Sequence, residues 1–141
     1  MDEGIKSRFE GAGFEVLGAV SKTNPSVTEA FQRVVHGYAK PVQIIPRNSP
    51  EMAELVDGAW KAHARQAGVI AADDSFLAAG SLKHDWVHVR LTSSTNIFAM
   101  QDTEGDLLFV ARSMTTGQVC AASREGAEYW ILQEEFDSQN I

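Results

Sequence analysis

Two histidines, His84 and His88, lie close enough in the sequence to suggest a shared metal ion. On a helix, side chains four residues apart would be well placed to bind one ion. The segment from Val87 to Leu91 alternates between apolar and polar residues, however, which predicts a β-strand. Side chains four residues apart on a strand are separated by about 13 Å, too far to share an ion. We therefore predict no metal site.

Trp86, His88 and Arg90 are predicted to share one face of that strand, with Phe109 of a later strand nearby. Tryptophan and arginine are enriched at the energetic centres of protein interfaces, and arginine binds carboxylates through paired hydrogen bonds. These four residues form our predicted partner-binding site. The alternative is structural: a helix packs over Trp86, and Arg90 pairs with one of the chain's own acids.

A second hypothesis is a small-molecule pocket between the sheet and a helix, lined by Trp60, His63, Trp86 and His88. Histidine would serve there as an acid–base or hydrogen-bonding group. Such a pocket would suit a sensor or a minor enzyme. The structural alternative is that His63 belongs to the apolar stripe of its helix and has no chemical role.

Catalytic signatures are missing from the sequence. Cys120, the single cysteine, has no histidine in its local segment, and its nearest base is Arg124, so a thiolate nucleophile has no support. No glycine-rich dinucleotide loop, Walker loop, G-x-S-x-G elbow or H-E-x-x-H motif occurs. We predict no cofactor and favour a non-catalytic function, although the sequence does not decide whether the chain is an enzyme.

The composition is that of an ordinary soluble protein, with 44% hydrophobic and 22% charged residues in 141. This length predicts a single domain over residues 1–141. No apolar run approaches the ~20 residues of a membrane span, and the acidic start at Met1–Glu3 does not resemble a secretory signal. One cysteine suits a reducing compartment, so we expect a soluble, cytoplasmic protein.

The net charge of −7 is concentrated in the C-terminal part of the chain. Residues 91–141 contain eight Asp and Glu against two Arg, whereas residues 1–90 are nearly balanced. An acidic surface repels phosphate backbones, which makes nucleic-acid binding unlikely. It would suit a basic protein partner or a homodimer, or serve only solubility.

Residues 85–122 read as an antiparallel meander with strands over 85–91, 96–101, 107–111 and 119–122. One face is predicted to carry Val87, Val89, Leu91, Phe98, Met100, Leu108 and Val110. Further short strands are expected over 14–20 and 42–45. Segment 69–80 is ambiguous, and segment 128–136 could be either a strand or a helix.

Capping residues indicate where two further helices begin. The first is capped by Ser26 or Thr28 and runs to about Tyr38; a weaker helix precedes it over 5–11. The second is capped by Ser49 and runs from Pro50 to Ala67. Its predicted buried stripe comprises Met52, Leu55, Val56, Ala59, His63 and Ala67.

Together these elements predict an α+β fold: an antiparallel sheet of about five strands with two or three helices packed mainly on one face. The helix over Pro50–Ala67 would be the main cover, leaving the face with Trp86 to bind a partner. We therefore predict a non-catalytic protein-interaction module, such as an adaptor, chaperone, inhibitor or immunity-type protein.

Overall fold

The computed structural model describes residues 3–20, 25–35, 40–102 and 105–136. These ranges have the predicted α+β class, with three α-helices and one antiparallel sheet. The helices are α1 (Glu3–Gly11), α2 (Val27–Val35) and α3 (Met52–Gln66), and a 3-10 helix spans Ile97–Met100. The strands are β1 (Glu15–Val20), β2 (Pro41–Pro46), β3 (Ser75–Ala79), β4 (Trp86–Arg90), β5 (Leu108–Arg112), β6 (Gln118–Glu125) and β7 (Glu128–Glu135). Within these ranges, no helix has both the length and the apolar character needed to cross a bilayer.

The sheet has seven strands in the order β1-β4-β3-β5-β6-β7-β2, against the predicted five or so. The sequence leaves the conformation of segments 69–80 and 128–136 open, and these segments contain β3 and β7. Because β3 lies between β4 and β5, the predicted meander is interrupted at that point. The strands at the two edges, β1 and β2, both come from the N-terminal third of the chain.

Residues 96–101 do not form the predicted strand. The Asn96 side chain accepts a hydrogen bond from the Phe98 amide at 2.9 Å, and Asp57 of α3 accepts one from the Ile97 amide at 2.8 Å. An asparagine that bonds the backbone locally competes with the hydrogen bonding of a strand. The segment therefore turns into a 3-10 helix that packs against α3.

The sheet is covered on both faces. The face that we call the α3 face packs against α1, α3 and the 3-10 helix, and its core includes Trp60, Phe76 and Phe109. The opposite face, the α2 face, packs against α2, and its core includes Trp86 and Val110. Helix α2 therefore covers part of the face that the sequence analysis leaves open.

The predicted grouping of side chains on one face is wrong for β5. Val87 of β4 pairs with Ala78, and Val110 of β5 pairs with Ala79, the next residue of β3. Since neighbouring residues of a strand point to opposite faces, Val87 lies on the α3 face and Val110 on the α2 face. Phe109 accordingly lies on the α3 face, away from Trp86.

The buried stripe of helix α3 overlaps the predicted one, since Val56 is buried and Met52, Ala59 and Ala67 pack against the core, but it is centred differently. Val56, Trp60 and Ala64 are its buried residues, whereas Leu55 is 48% exposed. Trp60 is fully buried at the centre of this stripe, and its indole donates a hydrogen bond to the Cys120 carbonyl at 3.1 Å. The helix begins at Met52 without a side-chain cap, so Ser49 does not have the predicted capping role.

Helix α2 has one of the two predicted caps. The Ser26 hydroxyl accepts a hydrogen bond from the Glu29 amide, and the Glu29 carboxylate accepts one from the Ser26 amide, each at 3.1 Å. This reciprocal pair is a capping box, and it satisfies two backbone donors at the start of the helix. The predicted end near Tyr38 lies outside the described residues.

Both edge strands are irregular. The pairing of β1 with β4 shifts between Val16 and Gly18, and the pairing of β2 with β7 shifts between Pro41 and Gln43. Strand β2 also begins and ends with proline, at Pro41 and Pro46. Bulges and prolines at an edge disfavour the addition of a further strand.

Candidate interaction surface

The two aromatic residues of the predicted partner-binding site belong to the core on opposite faces. Trp86 is 1% exposed beneath the start of α2, and its indole donates a hydrogen bond to the Pro25 carbonyl at 2.9 Å. Phe109 is fully buried on the α3 face, with its ring centroid 5.1 Å from that of Trp60. Neither side chain is available to a partner in this conformation.

Arg90 pairs with acids of its own chain, as in the structural alternative described above. Its guanidinium lies 3.0 Å from Glu15 and 3.6 Å from Asp73. The Glu15 bond is the main reason that the pKa of Arg90 is raised. The pKa of Asp73 is lowered, first by the hydrogen bond from the Ser75 hydroxyl. Arg90 is thus part of an ion-pair network at the surface of the sheet.

His88 lies on the α2 face between Gly18 of β1 and Leu77 of β3. Its Nε2 atom is buried and has no hydrogen-bond partner in the described part of the chain. His84, by contrast, contacts the Phe9 ring and bonds to the Asp85 carbonyl at 2.7 Å. Among the described residues, no group of three or more metal-binding side chains is brought together.

The residues of the alternative pocket are separated by the sheet. Trp60 packs on the α3 face, and Trp86 and His88 lie on the α2 face. His63, on α3, bonds through Nε2 to Gln43 of β2 at 2.9 Å. The structure does not bring these four residues to one cavity.

Cys120 is fully buried in β6. Burial raises the pKa of its thiol to about 12. At neutral pH the thiol is therefore protonated, and a protonated thiol is a poor nucleophile.

The α2 face carries an apolar row that the sequence analysis did not identify. Ile44 of β2 pairs with Trp130 of β7, Trp130 pairs with Ser123 of β6, and Ser123 pairs with Leu108 of β5. We call Ile44, Trp130 and Leu108 the apolar band. Ile44 is 46% exposed and the other two are half-buried. Three inter-strand spacings make the band about 14 Å long.

Carboxylates line the outer side of the apolar band. Glu125 and Glu128 are paired two positions nearer the β6–β7 turn than Ser123 and Trp130, and therefore on the same face. The Glu128 carboxylate accepts a hydrogen bond from the Trp130 indole at 3.0 Å, and that of Glu125 accepts one from Ser123 at 2.6 Å. These bonds orient the Trp130 and Glu128 side chains towards each other and place negative charge beside the apolar band.

Helix α2 borders the inner side of the apolar band. Arg33 lies on the flank of α2 that faces away from the band, where it pairs with Glu134 at 3.4 Å and covers the Phe136 ring at 4.8 Å. Thr28 and Gln32 lie on the opposite flank and are exposed. The band is therefore bordered by the polar flank of a helix on one side and by carboxylates on the other.

A surface groove lies at the Leu108 end of the apolar band. It has a volume of about 590 Å³ and is lined by Arg8, Lys83, Asp102, Asp106 and Leu108, among others. Arg8 donates hydrogen bonds to the carbonyls of Gly80 and Met100, so its main role here is to hold loops together.

Comparison with known proteins finds no match to the chain among protein-family models, curated proteins or solved structures.

Proposed function

We propose that this chain is a non-catalytic protein-interaction module that binds a basic partner protein through the apolar band on its α2 face. The observation that carries the proposal is Ile44, which is 46% exposed directly beside the half-buried Trp130. Apolar side chains that adjoin on a surface are typical of interaction sites, and tryptophan is enriched where binding energy concentrates.

Charge supports a basic partner rather than nucleic acid. Glu125 and Glu128 flank the apolar band, and the C-terminal part of the chain that contributes β6 and β7 is strongly acidic. Complementary charge speeds association and selects partners more than it adds affinity. Adaptors, chaperones, inhibitors and immunity-type proteins all act by such binding. A cytoplasmic location is part of the proposal, because the single cysteine suits a reducing compartment.

The proposal is tested by capturing partners from the native source with the tagged chain and then reconstituting each purified partner with it. The expected result is one stoichiometric partner whose Kd weakens as salt rises, and weakens further for Ile44→Asp. Leu55→Asp is the matched control, because Leu55 is similarly exposed on α3 at the other face. Recovery of the chain alone at both low and moderate salt, or a partner unaffected by Ile44→Asp, would contradict the proposal.

A small-molecule site is the second candidate, since the groove of about 590 Å³ falls within the usual size of ligand pockets. It combines basic, acidic and apolar groups, which would suit a zwitterionic ligand. A thermal-shift screen of amino acids and related zwitterions tests this, because a ligand that binds the folded state raises the Tm. A hit should be lost in Asp102→Asn; a screen without hits would count against this candidate.

A further inference from the structure

We propose that the element of the partner that occupies the apolar band is an amphipathic helix with a basic flank, lying alongside α2. This inference rests on the proposed function and deepens it. It commits to one occupant, a helix of another protein, in preference to an added strand or a second copy of this chain.

The edges of the sheet argue against an added strand. Strand addition needs a regular edge with free backbone groups, but β1 and β2 are both bulged and β2 is bounded by Pro41 and Pro46. The apolar band lies on a face of the sheet instead, and it runs across the strands from the exposed Ile44 to the half-buried Leu108.

The spacing on the α2 face suits a second helix. Helix α2 covers the row that contains Val110, Ala121 and Leu132, and the apolar band is the next row on the same face. Rows two residues apart along a strand are separated by about 6.7 Å. Helices packed side by side lie about 8–10 Å apart, which is between one and two such rows. A helix parallel or antiparallel to α2 would therefore lie over Ile44, Trp130 and Leu108.

The length of the band sets the length of the contact. At about 1.5 Å per residue, a band of about 14 Å corresponds to two or three helical turns. Such a helix would present apolar residues at positions i, i+3, i+4 and i+7. This is the helix-in-groove mode of recognition, in which an apolar stripe packs into a groove.

The charges decide which helix fits. The flank of the bound helix that faces away from α2 would lie against Glu125 and Glu128. Its end near Leu108 would meet charges of both signs, since Lys83 and Asp106 line the groove there and Asp106 pairs with Arg124. The flank facing α2 would meet the neutral side chains of Thr28 and Gln32. Lysine and arginine are therefore expected on one flank of the helix only.

The test uses synthetic peptides of about 18 residues, long enough to form helix when bound. One carries leucine at i, i+3, i+4 and i+7, lysine along one flank of that stripe and glutamine at the remaining positions. A second replaces every lysine by glutamate, and a third has the composition of the first in scrambled order. Binding to the full chain is measured by titration calorimetry, and helix formation by circular dichroism.

We expect the leucine–lysine peptide to bind and gain helix, and the other two to bind at least about tenfold more weakly. Ile44→Asp should weaken the first peptide by about tenfold or more, while Leu55→Asp leaves it unchanged. Glu125→Lys should reverse the preference between lysine and glutamate peptides. Its control is Glu54→Lys on α3, which changes the net charge equally on the other face.

Equal binding of all three peptides, or equal effects of Ile44→Asp and Leu55→Asp, would overturn the inference. So would a dimer, detected by sedimentation, that Ile44→Asp dissociates, because the occupant would then be a second copy. Binding experiments with the purified native partner distinguish failure of the helix inference from failure of the proposed function. A partner whose binding depends on Ile44 but is not displaced by the leucine–lysine peptide overturns the helix and leaves the interaction module standing.

Discussion

The indole of Trp86 and the guanidinium of Arg112 donate hydrogen bonds to the same acceptor, the carbonyl oxygen of Pro25, at 2.9 and 3.2 Å. Both side chains are buried. Pro25 lies just before α2, so this shared acceptor fixes the start of the helix on the sheet. Arg112 also bonds to the Ser113 carbonyl at 3.0 Å, and its burial lowers the pKa of the guanidinium.

Arg112→Met should destabilise the fold, because it removes charge-assisted hydrogen bonds from a buried site. We expect a loss of about 3 kcal/mol in the free energy of unfolding, measured with urea. Arg65→Met is the control: its pair with Asp74 is exposed, and losing such a pair costs under about 1 kcal/mol. Equal losses in the two variants would show that Arg112 does not hold α2.

Trp86→Ala should lower the free energy of unfolding, because Trp86 is part of the core and not of an exposed binding surface. Removing this buried indole leaves a cavity and removes one of the bonds to Pro25, with an expected cost of about 3–5 kcal/mol. Urea unfolding monitored by circular dichroism measures the loss. A variant as stable as the original chain would mean that Trp86 is not part of the core.

Gly13→Ala should destabilise the chain by about 2–3 kcal/mol. Gly13 has φ +89°, and a Cβ atom there would overlap the backbone carbonyl of Ser94. Gly58→Ala provides the contrast, because it lies within α3 and its Cβ would meet open space. That variant should gain about 0.5–1 kcal/mol from the higher helix propensity of alanine. Thermal unfolding should therefore show a lower Tm for Gly13→Ala and a higher Tm for Gly58→Ala.

His88→Leu should leave the stability unchanged or raise it by up to about 1 kcal/mol, because it removes a buried nitrogen that lacks a partner in the described part of the chain. His63→Leu should instead lower the free energy of unfolding by up to about 1 kcal/mol, since it removes the hydrogen bond to Gln43. A clear loss on replacing His88, measured by urea unfolding, would indicate that its Nε2 has a partner in solution.

Cys120 should resist thiol reagents in the folded protein and react once the chain is unfolded in urea. The pKa of its thiol is raised from 9.0 to about 12 by burial. Because the raised pKa belongs to the folded state, its stabilising effect is complete below pH 9.0 and is lost as the pH rises towards 12. The reactivity of the thiol is measured by the absorbance change on reaction with a disulfide reagent. Rapid reaction of the folded chain would contradict the burial of Cys120.

Much of the local structure could be predicted because it depends on local pattern. The alternation around Val87 predicts β4, and Ser26 correctly marks the start of α2. The segment Ile97–Met100 differs from its prediction because its apolar residues suit a strand, while the Asn96 side chain and Asp57 of α3 hold it as a 3-10 helix.

The candidate surface could not be predicted, because it depends on which strands are neighbours. Ile44 and Trp130 are distant in sequence and meet only because β2 pairs with β7 at the edge of the sheet. Similarly, a simple meander predicts that Phe109 and Trp86 lie close together. The insertion of β3 between β4 and β5 puts them on opposite faces. No local pattern in the sequence encodes that insertion.

The strand order also has a consequence for how the chain folds during synthesis. Ala19 of β1 pairs with Val87 and Ile45 of β2 pairs with Tyr129, so both edge strands leave the ribosome long before their partners. Strands β3 to β7, in contrast, pair with one another within residues 75–135. Contacts between distant residues form slowly because closing a long loop costs entropy. The central strands are thus expected to form the folding nucleus, with the first third of the chain joining last.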